Sequence, residues 1–175
     1  MGWRRQATEI PGVRLPEVER AHWSVLVWVN LGGLSPGDPT LDMAPDTEEL
    51  LIEGAAAYGG EVLRAHGHVA LAEFADPVAA IGFAMDLVAR AGDRNGSAGA
   101  GAHVGRVKPA EDPILSHASR VAAGAVDLAE EGQTLVTGAV LVELGDDGFD
   151  RFERGSSFTA ELDGEVMTLY PITPR

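Results

Sequence analysis

The sequence predicts an α+β fold, with a ferredoxin-like β-α-β-β-α-β core followed by a further helix, a strand and a C-terminal hairpin. Three observations lead there. Ser24 to Leu31 (SVLVWVNL) is a continuous apolar run rich in β-formers, as a buried central strand requires. Two segments with apolar residues at helical spacing, each opened by an acidic cap, alternate with short β-type runs. Asp163-Gly164 separates Phe158–Leu162 from Glu165–Tyr170, a strong hairpin pattern.

Taken in order, residues 1–22 mix arginine, glutamate and two prolines without periodicity and read as an irregular leader; residues 23–175 form one domain. After the first strand, Gly32 to Pro45 holds three glycines and three prolines, a loop composition. Asp46 with Glu49 three residues on resembles a capping box ahead of Leu50, Leu51 and Ile52, and Gly59-Gly60 ends that helix. Strands follow at Glu61–Ala65 and Val69–Phe74, with Gly67-His68 as the tight turn. Asp76-Pro77 opens a helix carrying Val78, Ile81, Met85 and Val88 as far as Gly92. Ser97 to Val107 is a strand of small residues. Asp112-Pro113 opens a third helix with Ile114, Ala118, Val121, Ala125 and Leu128 on one stripe, closed by Gly132, and Thr134–Thr137 is a short strand. No repeat or second domain is visible.

Composition narrows the function. The chain has 175 residues, 45% of them apolar, which suits one globular domain. It has no cysteine, so thiolate catalysis, disulfides and thiolate-bound metals are excluded. A net charge of −14 disfavours nucleic acid and anionic membranes as partners. No apolar run is long enough to cross a membrane, Arg4 and Arg5 precede no signal-like stretch, and Gln6 stands where a myristoylation motif wants Ser or Thr. The expected location is cytoplasmic.

Four stretches resemble the catalytic domains of class III adenylate/guanylate cyclases. Val27–Leu34 (VWVNLGGL) is similar to F-x-D-x-x-G-F, and Gly59–Phe74 (GGEVLRAHGHVALAEF) to G-G-x-x-x-K-x-x-G-D-x-x-x-x-x-F. Gly99–Val107 (GAGAHVGRV) is like G-I-H-x-G-x-V, and Leu115–Ala125 (LSHASRVAAGA) like V-N-x-A-A-R-L-x-x-x-A. Gln133–Leu141 and the terminal hairpin fit the closing elements, so the resemblance spans about residues 24–172. Tyr58-Gly59-Gly60-Glu61 looks like half of the diguanylate cyclase G-G-[DE]-E-F motif, but the glycines end a helix and Val62-Leu63 replaces the rest.

The resemblance implies a two-metal reaction in which the ribose 3′-hydroxyl attacks the α-phosphate, with the metals held by two aspartates. Here those two metal positions are Asn30 and His68. A neutral amide oxygen and an imidazole nitrogen are poor ligands for a hard cation such as Mg²⁺. Arg120 matches the arginine that stabilises the α-phosphate, Ser116 replaces its asparagine neighbour, and Arg64 replaces a base-reading lysine. The base-completing aspartate falls near Pro109, with Glu111 and Asp112 offset from it.

Plainer roles stand beside each of these. Asn30 also suits a turn cap, and Arg120 a surface ion pair. His66, His68 and His103 would bind a transition metal only if they converge. Trp3, Trp23 and Trp28 suit packing, Trp28 in the core.

The expected function is a catalytically impaired, cyclase-like signalling and dimerisation domain with no cofactor. One alternative is an active but unconventional cyclase using Asn30, His68 and an acidic neighbour, Glu73 or Asp42, with Mg²⁺ or Mn²⁺. Another is a nucleotide or anion sensor binding through Arg64 and Arg120. The expected partner is a second copy or another cyclase-type domain, joined through the strands around Val62–Phe74 and the hairpin residues Val166, Leu169 and Tyr170.

Overall fold

The computed structural model describes residues 22–32, 45–93, 97–108 and 112–175. The leader up to residue 21, most of the glycine- and proline-rich loop, Trp3, Asp42, Pro109 and Glu111 lie outside the described residues.

Strand β1 (His22–Asn30) is central because its residues are apolar on both sides: Val25, Leu26, Val27 and Val29 are all buried. It begins at His22, one residue inside the expected leader. Helix α1 (Pro45–Ala57) leads to β2 (Glu61–His66) and β3 (Val69–Phe74), joined by the two-residue turn Gly67-His68 with Gly67 at φ 60°. Asp46 lies inside the first turn of α1 instead of preceding it. Helix α2 (Pro77–Asp93) starts where Asp76 accepts the Val78 amide at 3.0 Å, and β4 (Gly99–Val107) follows. The order β2-β3-β1-β4, antiparallel throughout, is the split βαβ arrangement.

The third helix differs from its expected start. Asp112-Pro113 opens only a 3₁₀ turn, Pro113–Leu115, and α3 (His117–Leu128) begins afresh with Ser116 as its N-cap. Ile114 therefore precedes the helix, and Leu128, at its end, is exposed. The helix stops at Leu128; Gly132, at φ 78°, belongs to the turn into β5 (Thr134–Thr137). Helix α4 (Gly138–Phe149), broken at Gly145, and β6 (Phe152–Arg154) come next, and neither was expected. Strands β7 (Phe158–Leu162) and β8 (Glu165–Pro174) form the terminal hairpin. The described strands make one eight-stranded sheet, with β5 parallel to β4 and β8 joining β5 to β6.

The two sheet faces are covered unequally. Val25, Val27 and Val29 point with Ala72, Phe74 and Ala102 into the larger core, closed by residues of α1, α2 and α4 such as Leu51, Phe83 and Val140. On the other face Leu26, Leu71 and Val107 meet Ala118 and Ala122 of α3, and Leu135, Leu162 and Leu169 meet Val121 and Ala125. Trp28 is not a core residue: it is half-buried beside α3, and its indole N–H donates to Ser119 Oγ at 3.0 Å. Trp23 is exposed.

Candidate functional site

The end of β1 brings the two expected metal positions together. Asn30 is paired across the sheet with Val69, and the Leu31 amide donates to the His68 carbonyl at 2.6 Å, so strand end and hairpin turn are in contact. Asn30 is exposed, and its Oδ1 accepts the Gly32 amide at 3.1 Å, an Asx-type cap on the turn. His68 is half-buried. Among the described residues no three His, Asp or Glu side chains are placed to hold a metal. One committed amide oxygen and one imidazole do not fit the hard-cation pair that the cyclase resemblance implies.

The histidines do not converge. His103 is paired with Leu26, four residues back along β1 from Asn30, whereas the Gly67-His68 turn adjoins Leu31. His103 is buried, hydrogen-bonded through Nδ1 to Thr137 Oγ1 at 2.8 Å, and its ring meets His117 edge-on at 6.2 Å. Burial first, and the nearby His117 second, push its pKa down to about 4, so it is neutral at neutral pH. Glu73 is equally remote from Asn30: it pairs with Leu26 and accepts hydrogen bonds from Ser24 Oγ at 2.5 Å and His22 Nε2 at 2.9 Å.

At the start of α3 the geometry is tighter. Ser116 is fully buried; its hydroxyl accepts the Ser119 amide at 3.1 Å and donates to the Pro113 carbonyl at 2.7 Å, which commits it to capping. Arg120 is exposed on the next turn, where its Nε donates to Asp163 Oδ1 at 2.8 Å and its Nη1 to the Leu115 carbonyl. The other Asp163 oxygen accepts from His117 Nδ1 at 2.6 Å, and His117 Nε2 lies 3.9 Å from Glu165. The Arg120 hydrogen bond first, then that of His117, hold the Asp163 carboxyl below the usual carboxylate range.

Arg64 stands exposed on edge strand β2, opposite Leu71 and beside an irregularity between Val62 and Arg64. Of the expected hairpin contacts, only Val166 is exposed. Leu169 is buried under α3, and Tyr170 packs on the main core with Arg154 5.8 Å from its ring centre.

Sequence reasoning missed His117 and the second role of Asp163. Asp163 carries an ordinary turn signal, and nothing local links it to residues more than forty positions earlier. A histidine and an arginine three apart on one helix face was the one available hint.

Among the described residues, Asn30 lines a cavity of about 150 Å³ with Ser97, Glu130 and Glu131, and His103 one of about 270 Å³ with Thr137 and Met167. A larger one, about 500 Å³, lies among Tyr58, Gly82, Met85, Asp86 and Phe152, away from every expected site residue.

No family model matches the sequence, and no curated protein does. Solved structures do. An adenylate/guanylate cyclase/hydrolase from Silicibacter pomeroyi superposes with a TM-score of 0.65 at 18% identity, covering 89% of this chain and 99% of its own. Adenylate cyclases from Trypanosoma brucei, solved in their monomeric state, give 0.66 at 17% identity over 92% of each chain. A non-canonical dimeric guanylyl cyclase domain of the RhoGC fusion protein from Blastocladiella emersonii gives 0.66 at 16%, covering 89% and 99%. The chain has the fold of the adenylate and guanylate cyclase catalytic domains.

Proposed function

We propose that this cyclase-fold domain no longer makes cyclic nucleotide and serves instead as a dimerisation and regulatory module in signalling. The observation that carries the reading is at the β1 end: the two positions that answer to metal-binding aspartates are adjacent, but they hold Asn30, whose oxygen already caps the Gly32 amide, and His68. Both negative charges have left a site that would have to neutralise about four on a triphosphate with its two metals. The chain's net charge of −14 adds repulsion. Ser116, a further altered position, is consumed by the helix cap.

What remains is the assembly role. The face of β2 and β3 turned away from α1 and α2 carries half-buried Leu63 and Val69, and on the same side of the sheet the hairpin adds exposed Phe158, paired with Leu169. These apolar positions suit a second copy or another cyclase-type domain.

Manganese titration tests the metal half of the reading. The wild-type protein is expected to bind no Mn²⁺ at this site, and Asn30→Asp with His68→Asp is expected to create measurable binding, because two adjacent carboxylates rebuild a hard-cation site. Equal binding by both proteins would show that the hairpin turn has been wrongly matched to the metal position.

A further inference from the structure

Tyr58 leaves α1 at the Gly59-Gly60 turn and packs against α2, on the side of the sheet that α3 does not cover. Its ring rests on Gly82, where a Cβ would stand 2.7 Å from Tyr58 Cε1, so a larger residue there would displace it. The ring meets Phe83 edge-on at 6.4 Å, and the hydroxyl donates to Asp86 Oδ2, on the same helix face as Gly82 and one turn further along. That hydrogen bond first, and burial second, raise the Tyr58 pKa above its ordinary value, so the phenol is neutral at neutral pH. These residues wall the cavity of about 500 Å³ between α2, the end of α1 and β6. Ala79 and Met85 of α2 and Phe152 of β6 line it with apolar surface, each of them partly buried against the main core. Asp86 and Asp76 bring two exposed carboxylates to it, and Arg151 one guanidinium.

We propose that this cavity is a binding site for a small organic cation, a primary amine carried on an apolar body, with the ammonium held by Asp86 and the Tyr58 oxygen. A hydroxyl that donates one hydrogen bond still accepts, so Tyr58 Oη and the Asp86 carboxylate offer an ammonium two adjacent acceptors. The rings of Tyr58 and Phe152 line the same space, and an ammonium is attracted to an aromatic face. Ala79 and Met85 receive the apolar body. The volume falls within the range of small-molecule sites, which are mostly apolar with a few placed polar groups. Charge selects the sign of the ligand: an anion meets Asp76 and Asp86 with Arg151 as the opposing charge, on a chain whose net charge is −14. The site is separate from the β1 end and from the α3 side of the sheet, so its occupancy calls for neither metal nor partner.

Titration of the full chain at neutral pH, followed by backbone amide NMR shifts, tests it. Three probes share one ring and differ in head group: phenethylammonium, phenethyl alcohol and hydrocinnamate. The expected result is saturable binding of phenethylammonium with a Kd below about 1 mM and an affinity at least about tenfold above that of either other probe. The largest shifts are expected at Ala79, Gly82 and Met85. Asp86→Asn keeps an acceptor for the Tyr58 hydroxyl at an exposed position, and is expected to lower the phenethylammonium affinity at least about tenfold while leaving phenethyl alcohol within about twofold. Tyr58→Phe, which keeps the ring and removes the second acceptor, is expected to weaken the amine in the same direction and serves should Asp86→Asn be poorly folded. Absence of saturable binding would overturn the proposal, as would a probe order that does not place the amine first or shifts centred elsewhere. Wild-type affinity for the amine in the folded variant would overturn it too.

Discussion

Ser116 and His103 show how far single side chains here are tied to holding the fold. The Ser116 hydroxyl is buried, caps α3 and donates to Pro113, so Ser116→Ala is expected to destabilise the domain by about 1–2 kcal/mol, read as a lower urea midpoint with unchanged slope. His103 has a pKa lowered from 6.5 to about 4 in the fold. Above pH 6.5 both folded and unfolded states hold it neutral, and it contributes nothing to pH dependence. Between 6.5 and 4 the unfolded chain takes up a proton that the folded chain refuses, so stability falls with pH by up to about 3 kcal/mol. Asp163, with its carboxyl lowered by Arg120 and His117, acts in the same direction at more acid pH: its support is present above the unfolded value and lost as pH falls through the folded one. His103→Gln, which retains a hydrogen-bonding group for Thr137, should flatten the denaturation profile between pH 6.5 and 4; a profile unchanged from wild type would mean that the imidazole is not kept neutral. The turn-cap role of Asn30 was legible in the sequence because it depends on residues two apart. The Arg120–Asp163 contact was not, because helix and hairpin meet only in the folded sheet.

At the scale of elements, the strand of small residues, β4, explains how α3 lies so close to the sheet. A Cβ on Gly101 would stand 2.3 Å from the Val126 amide nitrogen and 2.5 Å from the Ala122 carbonyl oxygen, both backbone atoms of α3 that cannot rotate aside. Gly101→Ala is therefore expected to push α3 off β4 and to cost about 3 kcal/mol or more; a thermal midpoint within about a degree of wild type would contradict this packing. The same glycine-rich pattern was readable as a strand, but which helix it admits was not. Strands β1 to β4 and both hairpin turns were legible because their signals are local: β-rich apolar runs, Gly67-His68 and Asp163-Gly164. The start of α3 was misplaced because Asp112-Pro113 does cap a turn, the 3₁₀ one, before Ser116 caps the helix. Helix α4 went unseen for a physical reason: three glycines interrupt Gly138–Phe149, one of them at φ 57°, and its buried Val140, Leu141 and Leu144 make only one turn of pattern.

At the scale of the whole molecule, among the described residues one sheet face is closed by α1, α2 and α4 and the other by α3, an imbalance that suits assembly. A two-fold homodimer is expected, burying more than about 1,200 Å² in total with Phe158, on the α3 side of the sheet, at or near the seam. Two copies at −14 repel, so added salt should strengthen the dimer. Phe158→Asp should weaken it, and both effects are visible by light scattering. A monomer at tens of micromolar and physiological salt would redirect the search to a different cyclase-type partner. The account as a whole turns on the proposal that the β1 end, with Asn30 and His68 in place of two carboxylates, does not support cyclase chemistry. Incubating the purified protein with ATP or GTP and either Mg²⁺ or Mn²⁺, and measuring 3′,5′-cyclic nucleotide, tests that most directly. No product above a no-enzyme control is the expected result, because groups that act as a unit are lost together; product that disappears in Arg120→Ala would contradict it, since a contaminating cyclase would not respond to that substitution.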